Sequence, residues 1–108
     1  MEQGKKYDVI CIGQIIQDIV VTGIPKTALM EERDSFMSEE TILSTGGDAA
    51  NQAVTLARLG DRTALLARLD QGSVGQMVYG EFEKEGVDTS LLVRPEDCQN
   101  ITSIVMVQ

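Results

Sequence analysis

The chain has 108 residues, 43% of them hydrophobic, and a formal net charge of −8. That length holds one small domain with one core, and that hydrophobic content excludes a disordered polymer. The nine Lys and Arg are scattered without a cluster, which argues against nucleic-acid or anionic-membrane partners, and the lack of histidine removes the usual general base, the usual zinc ligand and every Ser-His or Cys-His pair.

The first predicted element is Tyr7 to Gly13, a short β-branched apolar run that fits a buried parallel strand closed by glycine. It contains Cys11, read as a small core hydrophobe; the second cysteine, Cys98, follows the polar stretch Arg94 to Asp97, a position open to exposure. Met1 to Lys6 is polar with no signal-peptide core, and no stretch has the length of a membrane helix, so the expected location is the cytoplasm. Ile15 to Val21 continues in extended style around Asp18. Gly23, Pro25 and the charged run Glu31 to Asp34 read as a loop or flap, and Phe36 to Leu43 as an edge strand returning to a glycine pair.

A helix is predicted over Ala49 to Leu59, where Ala50, Ala53, Val54 and Ala57 make one small apolar face and Gly60 is placed to stop it. Thr63 to Leu69 is the next strand. Ser73 to Gln76 reads as a capping box opening a second helix, with an apolar stripe of Val74, Met77, Val78 and Phe82, an acidic solvent face at Glu81, Glu83 and Glu85, and Gly86 as its end. Val87 to Val93 is a short extended piece before Pro95, and Ile101 to Val107 alternates as a further strand. This order is α/β, with parallel strands joined through helices and ligands expected beyond the C-terminal strand ends, where Gly13, Asp18 and the glycine pair are placed.

The chemistry concentrates in Ser44-Thr-Gly-Gly-Asp-Ala-Ala-Asn51. Adjacent glycines run into a helix whose free N–H groups point forward, and Asn51 projects from its first turn with two donors and an acceptor. Each residue also has a plainer reading: Gly46 and Gly47 as an ordinary turn, Asp48 as an N-cap, Asn51 as a cap or solvent-facing amide, and Asp18 as a strand-end carboxylate. Gly72-Ser-Val-Gly75 has a faint phosphate-loop look but reads better as a helix start.

The Gly46-Gly47-x-x-x-Asn51 helix, together with Tyr7 to Asp18, resembles the first signature of the ribokinase-like (PfkB) carbohydrate kinases. The resemblance implies the N-terminal part of a ribokinase-like fold: a mainly parallel sheet flanked by helices, with core at about 7–14 and 46–97 and a small β lid at about 15–45 and 98–108. It implies a sugar- or polyol-binding role for Asp18, Gly47 and Asn51, to which Gly46 and Asp48 are added as neighbours at the helix end, with ATP and Mg²⁺ as cofactors of the parent enzyme and a homodimer formed through the lid strands.

Departures narrow the expectation. A ribose kinase carries asparagine two positions before the matching aspartate, where Ile16 stands, and tends to carry lysine where Asp48 stands. The family's Gly-x-Asp-x-x-Gly is replaced by Asp70 to Gly75. The family's ATP site and catalytic aspartate belong to a Gly-Ala-Gly-Asp motif with no counterpart in these residues, nor is there a P-loop, so the isolated chain is expected to be inactive and none of its residues is assigned the catalytic role. Two alternatives stand beside a sugar kinase: a nucleoside kinase of the same fold, and a non-enzymatic dimerisation or interaction module. A dinucleotide-binding domain is disfavoured because Gly13-Gln-Ile-Ile-Gln-Asp18 is not Gly-x-Gly-x-x-Gly.

Overall fold

A computed structural model describes residues 6–28, 30, 31 and 35–108; most of the polar start, Met1 to Lys5, and part of the expected flap, Glu32 to Asp34, lie outside the described residues. The elements run β1 (Val9–Ile12), β2 (Ile16–Thr22), β3 (Glu40–Gly46), α1 (Asp48–Arg58), β4 (Thr63–Leu66), α2 (Ser73–Lys84) and β5 (Ile101–Met106). They form two sheets, β1 paired with β4 and a three-stranded sheet in the order β3-β2-β5.

The first sheet is parallel, with Val9 opposite Thr63 and Ile12 opposite Leu66. The segment after α2 extends it: Asp88 N–H donates to Thr63 O at 2.9 Å and Val93 N–H to Ala67 O at 2.9 Å. The core lies between this sheet and the helices. Ala49, Ala50 and Ala53 of α1 and Val78 and Phe82 of α2 bury against Cys11, Leu65, Leu69 and Val87. The small side chains of α1 let its backbone lie close to the strands, and the volume they leave is taken by Phe82 and the leucines. Burial pushes the Cys11 thiol above its ordinary value, which keeps it protonated and unreactive.

In the second sheet β2 is central. It runs antiparallel to β3, with Ile16 opposite Gly46 and Asp18 opposite Ser44, and parallel to β5, with Asp18 opposite Ser103. The returning strand therefore covers Glu40 to Gly46 and not Phe36 to Leu43. Residues 16–22 act as its template, and ladder pairing carries β3 directly into the glycine pair with no intervening loop.

Four local expectations change. Asp18 lies in the middle of β2, in a different sheet from β1, and not at the C-terminal end of a core strand. Gly47 is the N-cap of α1, so Asp48 is the first helical residue and makes no cap hydrogen bond. The capping box does not form: Gly72 is the N-cap of α2, its N–H is taken by Asp70 Oδ2 at 3.0 Å, and the Gln76 amide oxygen accepts from Arg94 at 3.2 Å. The buried stripe of α2 is Gly75, Val78 and Phe82, leaving Val74 and Met77 exposed. The cause is Gly75, where a Cβ would lie 2.0 Å from the Asp70 carbonyl oxygen; the helix rolls its side-chain-free face onto the Asp70 loop.

Candidate functional site

The site is built where β3 ends and α1 begins. Gly47 has φ +101°, which favours glycine, and a Cβ there would come 2.3 Å from the Gln14 carbonyl oxygen. The β3–α1 turn is thus pressed onto the loop after β1. Around it a hollow of about 520 Å³ is lined by Gly13, Gln14, Ile16, Gly47, Asp48 and Gln52. The N–H groups ahead of the first α1 hydrogen bond, Asn51 N–H to Gly47 O at 2.9 Å, are free of helical partners, and Asp48 places a negative charge at that positive end.

Asp18 approaches from the neighbouring sheet. A Cβ added at Gly46 would lie 2.5 Å from Asp18 Oδ2, so the carboxylate rests directly on the glycine backbone. Asp18 is half-buried, and among the described residues no hydrogen bond or ion pair reaches its carboxylate. A carboxylate can only accept, so this one is available to two or more hydroxyl donors.

Of the five predicted site residues, Gly46 and Gly47 link the Asp18 carboxylate to the hollow that Asp48 lines. Asn51 is exposed and turns elsewhere, into a second hollow of about 500 Å³ between α1, α2 and β3, with Gln17, Ser44, Thr45 and Thr55. The ion pair between Arg58 and Glu85, 2.5 Å, stands at the same hollow.

Gln17, which the sequence does not single out, also borders this second hollow. It is only 4% exposed, and its Oε1 has no hydrogen-bond partner among the described residues. The signal for it lies in the alternation of β2, which sends Asp18 to one face and its neighbour to the other. At the Asp70 loop Arg94 donates from Nε and Nη2 to Asp70 O at 3.1 and 3.0 Å, and its guanidinium lies over Tyr79, while Asp70 Oδ1 is buried with no hydrogen-bond partner among the described residues. Cys98 is half-buried, not exposed. Among the described residues no three acidic, His or Cys side chains gather so as to hold a metal ion, and no helix is long and apolar enough to cross a membrane.

The pfkB family carbohydrate kinase model matches residues 6–108. The chain belongs to that family. Among pfkB relatives, it is 28% identical over 100 residues to a 5-dehydro-2-deoxygluconokinase of Clostridium perfringens, a match covering 93% of this chain and 28% of that protein. The Halothermothrix orenii fructokinase structure superposes with a TM-score of 0.71 at 29% identity, over 92% of this chain and 33% of its own. A Xylella fastidiosa fructokinase with bound ATP superposes with a TM-score of 0.73 at 23% identity, covering 91% of this chain and 29% of its own, a likeness of fold alone. The chain therefore spans about a third or less of the length of these pfkB proteins. The α/β architecture expected from the sequence, a partial ribokinase-like fold, is the one these structures share.

Proposed function

We propose that this segment is the acceptor-side part of an ATP-dependent carbohydrate kinase, one that transfers a phosphoryl group to a hydroxyl of a sugar or polyol. The observation that carries the reading is the unpartnered Asp18 carboxylate resting on Gly46 beside the N-terminus of α1. Asp18 accepts hydrogen bonds from acceptor hydroxyls. Gly46 and Gly47, having no side chains, let the Asp18 carboxylate and the Gln14 carbonyl oxygen lie directly against the turn. Asp48 supplies a polar group at the helix end, and Asn51 faces the neighbouring hollow on the other side of α1. Binding of this kind positions a hydroxyl for in-line transfer, which is the larger part of phosphoryl-transfer catalysis. ATP, when bound, supplies the phosphoryl group; in this reading its site, Mg²⁺ and the catalytic base lie in a later motif of the family, and these residues alone are inactive. The 5-dehydro-2-deoxygluconokinase relatives support an oxidised sugar acid as the acceptor, ahead of ribose and ahead of a nucleoside. The division into a core at about 7–14 and 46–97 and a lid at about 15–45 and 98–108 belongs to this reading, as does a cytoplasmic location.

The test is ADP release by the protein expressed from its intact gene, across oxidised sugar acids, ketoses, aldoses and nucleosides. Release that depends on a sugar or sugar acid supports the reading; release with nucleosides alone replaces it with the nucleoside-kinase alternative.

A second reading, an interaction module, is favoured by one observation. Ile42, Leu43, Ile101, Ile104, Val105 and Met106 of β3 and β5 are all exposed, Ile104 at 63%. Apolar strands of this kind associate. A homodimer through these strands is compatible with the kinase reading, and sedimentation over a concentration series tests it: a monomer throughout rejects it.

A further inference from the structure

The three-stranded sheet carries a pattern that only register reveals. On the face of β2 that bears Asp18, the in-register rows are Gly46–Ile16–Ile101, then Ser44–Asp18–Ser103, then Ile42–Val20–Val105. Residues directly opposite share a face of the pleat, so each row projects together. One fully polar row of a carboxylate between two hydroxyls is thus bordered by apolar rows on both sides. Among the described residues, none of the three polar side chains makes a hydrogen bond within the protein. The three are therefore unspent: Asp18 accepts only, while each serine can donate and accept.

We propose that Ser44 and Ser103 are specificity-determining residues that read the oxygen functions flanking the hydroxyl held by Asp18. The inference rests on the acceptor reading given above and deepens it. Neighbouring strands lie about 4.8 Å apart, so one ligand hydroxyl set between two strands meets the carboxylate and one serine together. A ligand that uses the whole row carries consecutive oxygen functions on both sides of a central hydroxyl. The apolar rows take its C–H faces, and Gly46, with no side chain, gives the Asp18 carboxylate room to lean over the β3 side of the first row. The class selected is a polyhydroxylated acceptor with at least three contiguous oxygen functions, discriminated against its deoxy analogues. Ser103 is half-buried on β5, whereas Ser44 is exposed on the edge strand β3 and also borders the hollow of Gln17 and Asn51, so Ser103 is the stricter of the two readers.

The experiment uses the protein expressed from its intact gene, its best acceptor and the deoxy analogues of that acceptor, with Ser103→Ala, Ser44→Ala, Ser103→Thr and Asp18→Asn. Each serine-to-alanine change is expected to raise the acceptor KM about 3- to 10-fold, leave the KM for ATP unchanged, and cut discrimination against one deoxy analogue by the same factor. Ser103→Thr, which keeps the hydroxyl, is expected to restore that discrimination. If both alanine variants keep wild-type KM and wild-type discrimination while Asp18→Asn still impairs the acceptor, the serine row is overturned and the acceptor reading stands. If neither the serine variants nor Asp18→Asn changes acceptor use, the acceptor reading itself fails.

Discussion

Asp18 lies on Gly46: the aspartate Oδ2 occupies the place where a side chain at the glycine would begin, 2.5 Å from where its Cβ would stand. One residue further on, the same geometry takes a different form, because at Gly47 the obstructing atom is the Gln14 carbonyl oxygen of the main chain. The two glycines are therefore predicted to fail in different ways when replaced.

Gly46→Ala displaces the end of a flexible side chain, which the fold tolerates. The expected outcome is a small change in thermal stability and an acceptor KM raised by about 10-fold or more, the cost of misplacing a charged hydrogen-bond acceptor. Steady-state kinetics beside a melting curve checks both halves.

Gly47→Ala meets main chain and a φ of +101°. Nothing nearby can yield by rotating a side chain, so the substitution is expected to destabilise the protein by about 1–3 kcal/mol or more. Denaturant unfolding measures it; a midpoint equal to wild type contradicts the packing of this turn on the loop after β1.

Phe82 is the largest fully buried side chain and joins α2 to Leu65 and Leu69. Phe82→Ala is expected to cost about 3–5 kcal/mol. Val74→Ala and Met77→Ala, at partly exposed positions of the same helix, are expected to cost much less, which separates the observed stripe from the one the sequence suggests.

Acid sensitivity follows from two carboxylates. The hydroxyl and then the N–H of Ser90 hold the Asp88 carboxyl below its usual range, and the Arg58 hydrogen bond does the same for Glu85. A depressed carboxyl stabilises the fold above its unfolded value, about 4, and loses that contribution as pH falls through the folded one. The melting-temperature gap between wild type and Asp88→Asn is therefore expected to be open at pH 6 and to close as pH falls below about 4. A gap that stays constant with pH counts against the Asp88–Ser90 turn.

Legibility in the sequence depends on how local the cause is. Helix α1 is expected over Ala49 to Leu59 and spans Asp48–Arg58, because a small apolar face and a stopping glycine act within the helix itself. The parallel strand Val9–Ile12 is legible in its continuous β-branched run for the same reason. Ser73 fails as a cap because the helix opens one residue earlier, with the Gln76 N–H bonded to Gly72 O at 3.0 Å, and Arg94, from outside the helix, holds the Gln76 side chain. The start of β3, the orphan amide of Gln17 and the Ser44–Asp18–Ser103 row all arise from pairing between segments far apart in the chain. A single sequence holds that register only implicitly, since shifting a strand by one residue reverses which face each side chain takes.

The central claim is that Asp18 holds the sugar. The direct measurement is acceptor kinetics of Asp18→Asn, which keeps the shape of the side chain and removes its charge, in the protein expressed from its intact gene. The predicted result is a fall in kcat/KM for the acceptor of about 10-fold or more with the KM for ATP unchanged. Acceptor kinetics indistinguishable from wild type would contradict the account.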